Sequence, residues 1–456
     1  MSEVLEHQPY AALSYSNFRR YALGALTSNI GMQMMAVAVS WQIYRLTHSS
    51  LALGLVGLVE VVPVVGLALP AGQLADRLSR RRLVLGSALA MVCCTGALAF
   101  LAANGDHLAK SSLLTWGNHL LESMARGLGE HSIQITSPVV PLLYLIIAVL
   151  GVARAVGGPA RAALLPMLVP TAAFSNAVTW NSSFFQLSAV VGPALGGLIL
   201  AVTANHAAPF APVYLLAMAS AVVLFVTIYL LPEQQFERNN EPVSLASLSA
   251  GVRFVCRQRI ILATITLDLF AVLLGGAVAL LPVYADQILH VGPRGLGLLR
   301  AAPSVGALMM ALVLAHRPPM RRAGPALLGS VIGFGLATIV FGLSRNFWLS
   351  LAMLWLTGVL DNVSVVVRHT LVQVLTPDAM RGRVSAVNQV FISLSNEMGA
   401  LESGTVAAAF GPIVSVVAGG IGTILVTLAV AGFWPEIARF GSLADAKPVS
   451  DDEATA

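Results

Sequence analysis

Among the ionisable residues that interrupt long apolar runs in this chain are Glu60, Asp268, Arg300, Asp361, Glu397 and Glu402. Charge among apolar neighbours is expensive, so a residue kept there is a functional candidate by default. The chemistry open to these groups is proton exchange. A carboxyl group in a low-dielectric setting keeps its proton near neutral pH and releases it when water enters. Arg300 could serve any of the acids as counter-ion. Asp268 stands first, and Asp361, deeper in its run and next to Asn362, ranks about equal. Glu60 comes second: it lies three residues before Pro63, where a helix kink offers another reason for a lone carboxyl. Glu397 and Glu402 share a run with Asn388, Gln389, Ser393, Ser395 and Asn396, polar enough that it must face water or protein rather than lipid. For every one of these acids, a structural ion pair between helices is the competing reading.

A cleaner pattern lies near the N-terminus. Asn29, Gln33 and Ser40 follow i, i+4 and i+11, which is one helical face. With Trp41 beside it, that face offers hydrogen bonds and stacking to an aromatic, polar-decorated small molecule. Interhelical hydrogen bonding that glues this helix to its neighbours is the alternative.

The elements that must position these groups follow from composition. Of 456 residues, 57% are hydrophobic and only 10% charged, against roughly a quarter charged in soluble domains. Too little charge is present to coat a soluble core of that size; a bilayer supplies the missing apolar solvent. A helix needs about 20 apolar residues to cross the hydrocarbon core. Runs of that kind fall at 18–42, 51–74, 83–103, 138–160, 177–202, 210–231, 260–284, 296–316, 325–344, 347–367, 384–410 and 412–434. Backbone groups in lipid are satisfied within their own segment, so these are helices. Of the 26 Lys and Arg residues, eighteen fall on the side of the termini and five on the other. By the positive-inside rule both termini are cytoplasmic.

Two stretches echo each other. Leu74-Ala75-Asp76-Arg77 with Arg81-Arg82 returns as Leu314-Ala315-His316-Arg317 with Arg321-Arg322, at an offset of 240. "RAALLPMLVP" from Arg161 returns as "RHTLVQVLTP" from Arg368, at an offset of 207. Two echoes in the same order predict two related six-helix halves. The fall of 33 in the offset predicts an insertion between the third and fourth spans of the first half. The expected organisation is an N-terminal tail at 1–17, a bundle at 18–231 with an insertion at 104–137, a linker at 232–258, a bundle at 259–435 and a tail at 436–456. In the insertion, Leu113, Leu114, Trp116, Leu120, Leu121, Met124 and Leu128 recur at helical spacing. An interfacial helix on the outer membrane surface and a partly ordered loop with one amphipathic turn both fit.

The stretch from Gly72 to Arg82, with Asp76, Arg77, Arg80 and Arg81, resembles the loop motif after the second helix of the major facilitator superfamily. Ser79 departs from the glycine usual there, and His316 replaces the aspartate in the second copy. "LDLFAVLLGGAVALLPVYA", "RHTLVQVLTPDAMRGRVSAVNQVF" and "SNEMGALESG" are similar to the enterobactin-exporter-like (transmembrane secretion effector) branch. The resemblance implies an all-α integral membrane protein of twelve helices in two pseudo-symmetric bundles, with the helix of Asp268 lining a central cavity. It implies proton-driven export of a siderophore or another amphipathic compound from a bacterial inner membrane. Gly72, Asp76, Arg77, Arg81 and Arg82 would then clip helix ends together as a gate, since carboxylates suit helix N-termini and arginines C-termini. Plain electrostatic anchoring of the loop is the alternative. Gly192, Pro193, Gly196 and Gly197 resemble part of the superfamily's antiporter motif, with a structural role.

Other chemistry is not expected. No Gly-x-x-x-x-Gly-Lys-[Ser/Thr] phosphate loop occurs, the nine histidines never sit at i, i+4, and Cys93, Cys94 and Cys256 lack metal or disulfide spacing. The sequence pI near 9.4 reflects juxtamembrane clusters rather than a nucleic-acid face. The expected partners are a small-molecule substrate, protons and lipid, for a monomer that is no enzyme and needs no cofactor. A lysophospholipid-type flippase and a non-transporting sensor or scaffold remain alternatives, because fold does not fix function.

Overall fold

Among the described residues the apolar runs fold as helix, with one of them broken. The computed structural model describes residues 9–105, 112–127, 129–130, 135, 139–232, 252–318 and 320–442. The first half contains α1 (Ser16–Thr47), α2 (Ser50–Arg77), α3 (Arg80–Asn104), α4 (Ser112–Gly127), α5 (Val140–Leu164), α6 (Thr171–Thr203) and α7 (Ala211–Tyr229). The second contains α8 (Arg259–Leu274), α9 (Gly292–Ala315), α10 (Ala323–Leu343), α11 (Phe347–Leu375), α12 (Asp378–Phe410) and α13 (Pro412–Phe433). Among the described residues, eleven helices are long and apolar enough to cross a membrane. α12 completes the set of twelve; its Glu, Asn and Arg residues lower its hydropathy, as its polar sequence anticipates.

Packing repeats across the halves. In the first, α1 lies on α6 and α7, α2 on α5, and α3 on α5 and α7; in the second, α8 lies on α12 and α13, α9 on α11, and α10 on α11 and α13. Setting α4 aside and shifting by six helices, the two sets of pairings coincide. The second sequence echo has a structural counterpart too: Pro170 and Pro377 are the N-caps of the corresponding helices α6 and α12. Residues 105–139 separate α3 from α5, whereas only 344–346 separate α10 from α11. The surplus is the insertion, and α4 forms within it.

One expectation needs correction, and two further contacts bear on the expected tails. The run 260–284 is not one helix: α8 stops at Leu274, followed by Gly275-Gly276, a 3-10 turn at Ala277–Leu280, a short helix at Leu281–Val283 and a π turn at Tyr284–Ile288. The glycine pair carries the backbone close to α12, where a Cβ on Gly276 would stand 2.7 Å from the Gly399 carbonyl oxygen. Pro282 adds a missing N–H. Part of the expected C-terminal tail is docked. Phe440 and Gly441 accept hydrogen bonds from Gly324 and Ala323, satisfying orphan N–H groups of the first turn of α10. Glu436 accepts from Arg259 at 2.6 Å. Its own backbone N–H, then Arg259, hold the partly exposed Glu436 carboxyl below the usual carboxylate range, so this tie weakens as pH falls through that lowered value. Part of the N-terminal tail is anchored: Asn176 on α6 accepts from the Ala12 N–H at 2.9 Å and donates to the Pro9 carbonyl. Most of the expected linker, 233–251, lies outside the described residues.

The halves meet through α2 on α12 and α6 on α9. Each seam closes on a glycine pair near the end that carries the insertion. A Cβ on Gly404 would stand 2.7 Å from the Gly54 Cα, and one on Gly197 would stand 2.7 Å from the Gly297 Cα. Only backbone-to-backbone contact fits there, as small residues permit between membrane helices. The apolar core at this end mixes both halves, joining Trp41, Tyr44 and Tyr214 to Tyr284, Leu296 and Phe341. At the opposite end, which carries Arg80–Arg82, each core stays within one half. Among the described residues, apolar packing therefore joins the two halves at the insertion end and keeps to each half at the motif end. Gly197→Val is expected to hold the insertion end ajar, because the added carbons meet backbone that cannot yield. In a background lacking the native cysteines, Ser40→Cys should then react several-fold faster with an impermeant maleimide from that side; an unchanged rate would contradict the seam.

Candidate functional site: a charged cavity between the halves

Between the two seams lies a cavity of about 600 Å³, within the roughly 300–1,000 Å³ usual for small-molecule sites. α1 contributes Asn29, Gln33 and Ser40, the stripe expected from its spacing. Glu60 comes from α2, Arg154 from α5, Phe185 from α6, Arg300 from α9, Phe334 and Thr338 from α10, Asp361 from α11, and Asn396 and Glu397 from α12. The break after α8 adds Gly275 to Ala279. These are several convergent polar groups in an apolar and aromatic wall.

Four of the charges form one cluster. Arg154 donates to Glu60 at 2.7 Å, and Arg300 donates to the Ser40 hydroxyl at 3.3 Å across the boundary between halves. Arg300 also lies in the electrostatic field of Glu60 and Glu397, and Glu397 in that of Glu60, Arg154 and Arg300. Each half thus supplies one acid and one arginine. The arrangement couples charge at the cavity to the contact between halves, since altering one member changes the attraction across the gap.

Asp361 stands apart. Its side chain makes no hydrogen bond or ion pair with any described residue, although it lines the cavity. It also lines a smaller adjoining pocket with Asp268, Ser330, Ser364 and Arg368, and Val272 and Phe334 border both spaces. There Asp268 is ion-paired with Arg368, both side chains about 10% exposed. Arg368 also donates to the Ser364 carbonyl oxygen at 3.4 Å.

The other expected site residues distribute as follows. Asp268 does not reach the central cavity. Trp41 is buried against Tyr44 in the core, not presented to the cavity. Asn362 is buried one position round from Asp361, its Oδ1 without a hydrogen-bond partner. Asn388 and Gln389 lie on α12 nearer the motif end, outside the cavity, and Glu402 accepts from the Ser403 hydroxyl at 3.3 Å. Of the loop motif, the side chains of Asp76 and Arg77, and the surroundings of Gly72, lie outside the described residues; Arg82 is exposed. Arg81 donates to the Ile228 and Tyr229 carbonyl oxygens at 3.2 and 2.5 Å, clasping the C-terminus of α7 where a cation is favoured. Gly192, Pro193, Gly196 and Gly197 are buried in α6: Gly192 and Gly196 press on α1, and Gly197 forms the α9 seam. Arg154 is the residue the sequence failed to offer. The signal was present, a lone arginine among apolar residues, but its partner Glu60 is 94 positions away.

Two pseudo-symmetric helical bundles about a polar cavity define a multi-pass membrane transporter, not an enzyme. The model of the Major Facilitator Superfamily matches residues 21–400, and the chain belongs to that superfamily. Among curated proteins, it is 28% identical over 424 residues to proteins named "Enterobactin exporter EntS" from Citrobacter koseri and from Shigella boydii serotype 18, covering 93% of this chain and 93% of each relative. Among solved structures, it is similar to a bacterial homologue of the human lysosomal transporter Spinster, inward-facing and unoccupied, with a TM-score of 0.66 and 14% identity over 95% of this chain and 99% of that one. A bacterial homologue of the iron transporter ferroportin, also inward-facing, gives 0.61 and 15% identity over 90% and 98%.

Proposed function

We propose that the protein exports a small amphipathic compound, siderophore- or drug-like, across a bacterial inner membrane by alternating access, in antiport with protons. The observation that carries this reading is an acid without a partner, Asp361, in the wall of a cavity clamped by charges from both halves. Exporter relatives at 28% identity support the direction and the amphipathic substrate class. Phe185, Phe334 and Phe341 offer apolar faces, and Asn29, Gln33, Asn396 and the arginines offer donors, suited to an aromatic compound bearing polar groups. With both termini cytoplasmic, the motif end faces the cytoplasm and the cavity is open to cargo from inside. The gate is the pair of glycine seams, which must separate for release outside. The cation clasps at helix ends, Arg81 among them, hold the cytoplasmic ends of the first half as a unit. A single chain contains the whole cavity, so the working unit is a monomer.

The test is transport by the purified chain in proteoliposomes with an imposed pH gradient, against catecholates, hydrophobic cations and lysolipids. Gradient-dependent movement of a catecholate or an aromatic cation is expected, and it should collapse when a protonophore dissipates the gradient. Movement of lysolipid without any gradient would instead establish a flippase, and no movement of any compound would favour a sensor.

A further inference from the structure

Among its described residues, α4 shows two apolar edges, one covered and one exposed. Ala125 is fully buried, packed with Leu51 at the start of α2 and Ala408 at the end of α12, and Leu121 borders the same cluster. This edge therefore lies across the α2–α12 seam and touches both halves. Gly117 sits on the first turn of α5, where a Cβ would stand 2.7 Å from Pro141 Cγ. Just beyond α4, Glu130 is buried, accepting from the Ser49 hydroxyl at 2.5 Å and the Ser50 N–H at 2.6 Å. A carboxylate there satisfies the first turn of α2 and suits its positive end. The insertion is thus fastened at both α5 and α2.

The other edge is Trp116, Leu120 and Met124, at i, i+4 and i+8, which are 67%, 48% and 46% exposed. His119, Glu122 and Arg126 flank it, with Glu122 and Arg126 paired at 3.2 Å. A 16-residue helix is about 24 Å long, too short and too polar to span. An amphipathic helix with an exposed tryptophan is of the kind that lies at the membrane boundary. The stripe lies beside the edge that holds Gly117, and that edge rests on a membrane-crossing helix with exposed apolar side chains of its own. Pro141, under Gly117, begins α5, whose Leu145 one turn on is exposed on a membrane-crossing helix.

We propose that α4 lies in the membrane–water interface at the insertion end, its Trp116–Leu120–Met124 edge bedded in lipid and its Leu121–Ala125 edge wedged over the α2–α12 seam. Lipid is the occupant, and the helix ties the bilayer surface to the closed gate. This placement does not depend on the export reading, because its test uses no transport.

Tryptophan emission of the full chain would be recorded in vesicles for the native protein and for Trp116→Phe, the difference isolating Trp116. Phosphatidylcholine brominated high on the acyl chain should quench that difference, and aqueous acrylamide should not. The result should be the same at every protein-to-lipid ratio. Quenching by acrylamide and not by brominated lipid would overturn the proposal by showing a solvated helix. Shielding from both that is lost on dilution in lipid would overturn it in favour of a second copy as occupant.

Discussion

Asp361→Asn is expected to remove pH-gradient-driven transport, by about tenfold or more, at least about 1.4 kcal/mol on the rate, while the protein still folds and still exchanges substrate. The ground is the missing partner. An ionised carboxylate enclosed at membrane depth costs several kcal/mol unless paired, and among the described residues nothing pairs with this one. The charged groups on the helices packed round it are engaged elsewhere: Arg300 of α9 with Ser40 and the field of Glu60 and Glu397, and Arg368 of its own helix with Asp268. A proton is then the available counter-ion while the cavity is sealed, and water can take its place when the cavity opens. Asparagine matches the protonated acid in shape and in neutrality but cannot release a proton. It should therefore leave counterflow of substrate intact and uncouple it from the gradient. Glu397→Gln is the necessary comparison. Glu397 sits within a balanced cluster, so its loss unbalances the clamp between halves and should impair exchange as well as driven transport. If Asp361→Asn transports with undiminished gradient dependence, Asp361 is not the coupling group.

What the sequence made legible was whatever depends on distance along the chain. Apolar run length located the spans, the drop in offset between two echoes pointed to the long connection between α3 and α5, and the i, i+4, i+11 spacing put Asn29, Gln33 and Ser40 on one cavity-facing edge of α1. What it concealed was rotation about the helix axis. A soluble helix shows its buried face by contrast with a polar one, whereas lipid-facing and protein-facing sides of these helices are both apolar. Depth in the span therefore made Asp268 look equivalent to Asp361, yet one faces Arg368 and the other the cavity. Partner choice was concealed for the same reason. Glu60 and Arg154 read as isolated charges because no local spacing links α2 to α5. Trp41 shows the converse error: adjacency to Ser40 in sequence turned it about 100° round the helix, into the core. The break after α8 was in view as Gly275-Gly276 and Pro282, but apolar run length carried the span straight through it.

Asp268→Asn is expected to destabilise the protein, by about 3–5 kcal/mol, the usual cost of leaving one member of a buried ion pair unpaired. The loss should exceed that from any of the cavity substitutions, because Glu60 and Arg154 keep part of their surface open to the cavity whereas Asp268 and Arg368 are about nine-tenths covered. What makes the prediction discriminating is the pair. Replacing both groups by apolar residues of similar volume, Asp268→Leu with Arg368→Met, removes the desolvation cost together with the attraction, and should be near neutral or stabilising. Thermal unfolding in detergent at a fixed scan rate measures both variants. Transport by the double variant then separates structure from coupling. If Asp268 and Arg368 only hold α8 against α11, the double variant keeps gradient-driven transport. If the pair opens and takes up a proton during the cycle, the double variant is stable but uncoupled, and the proton pathway runs through the side pocket as well as through Asp361. The two spaces share Asp361, Val272 and Phe334 as a common wall, so such a path would need no more than a rotamer change at Arg368. Its guanidinium and Asp361 are seven residues apart on one helix, two turns along nearly the same face.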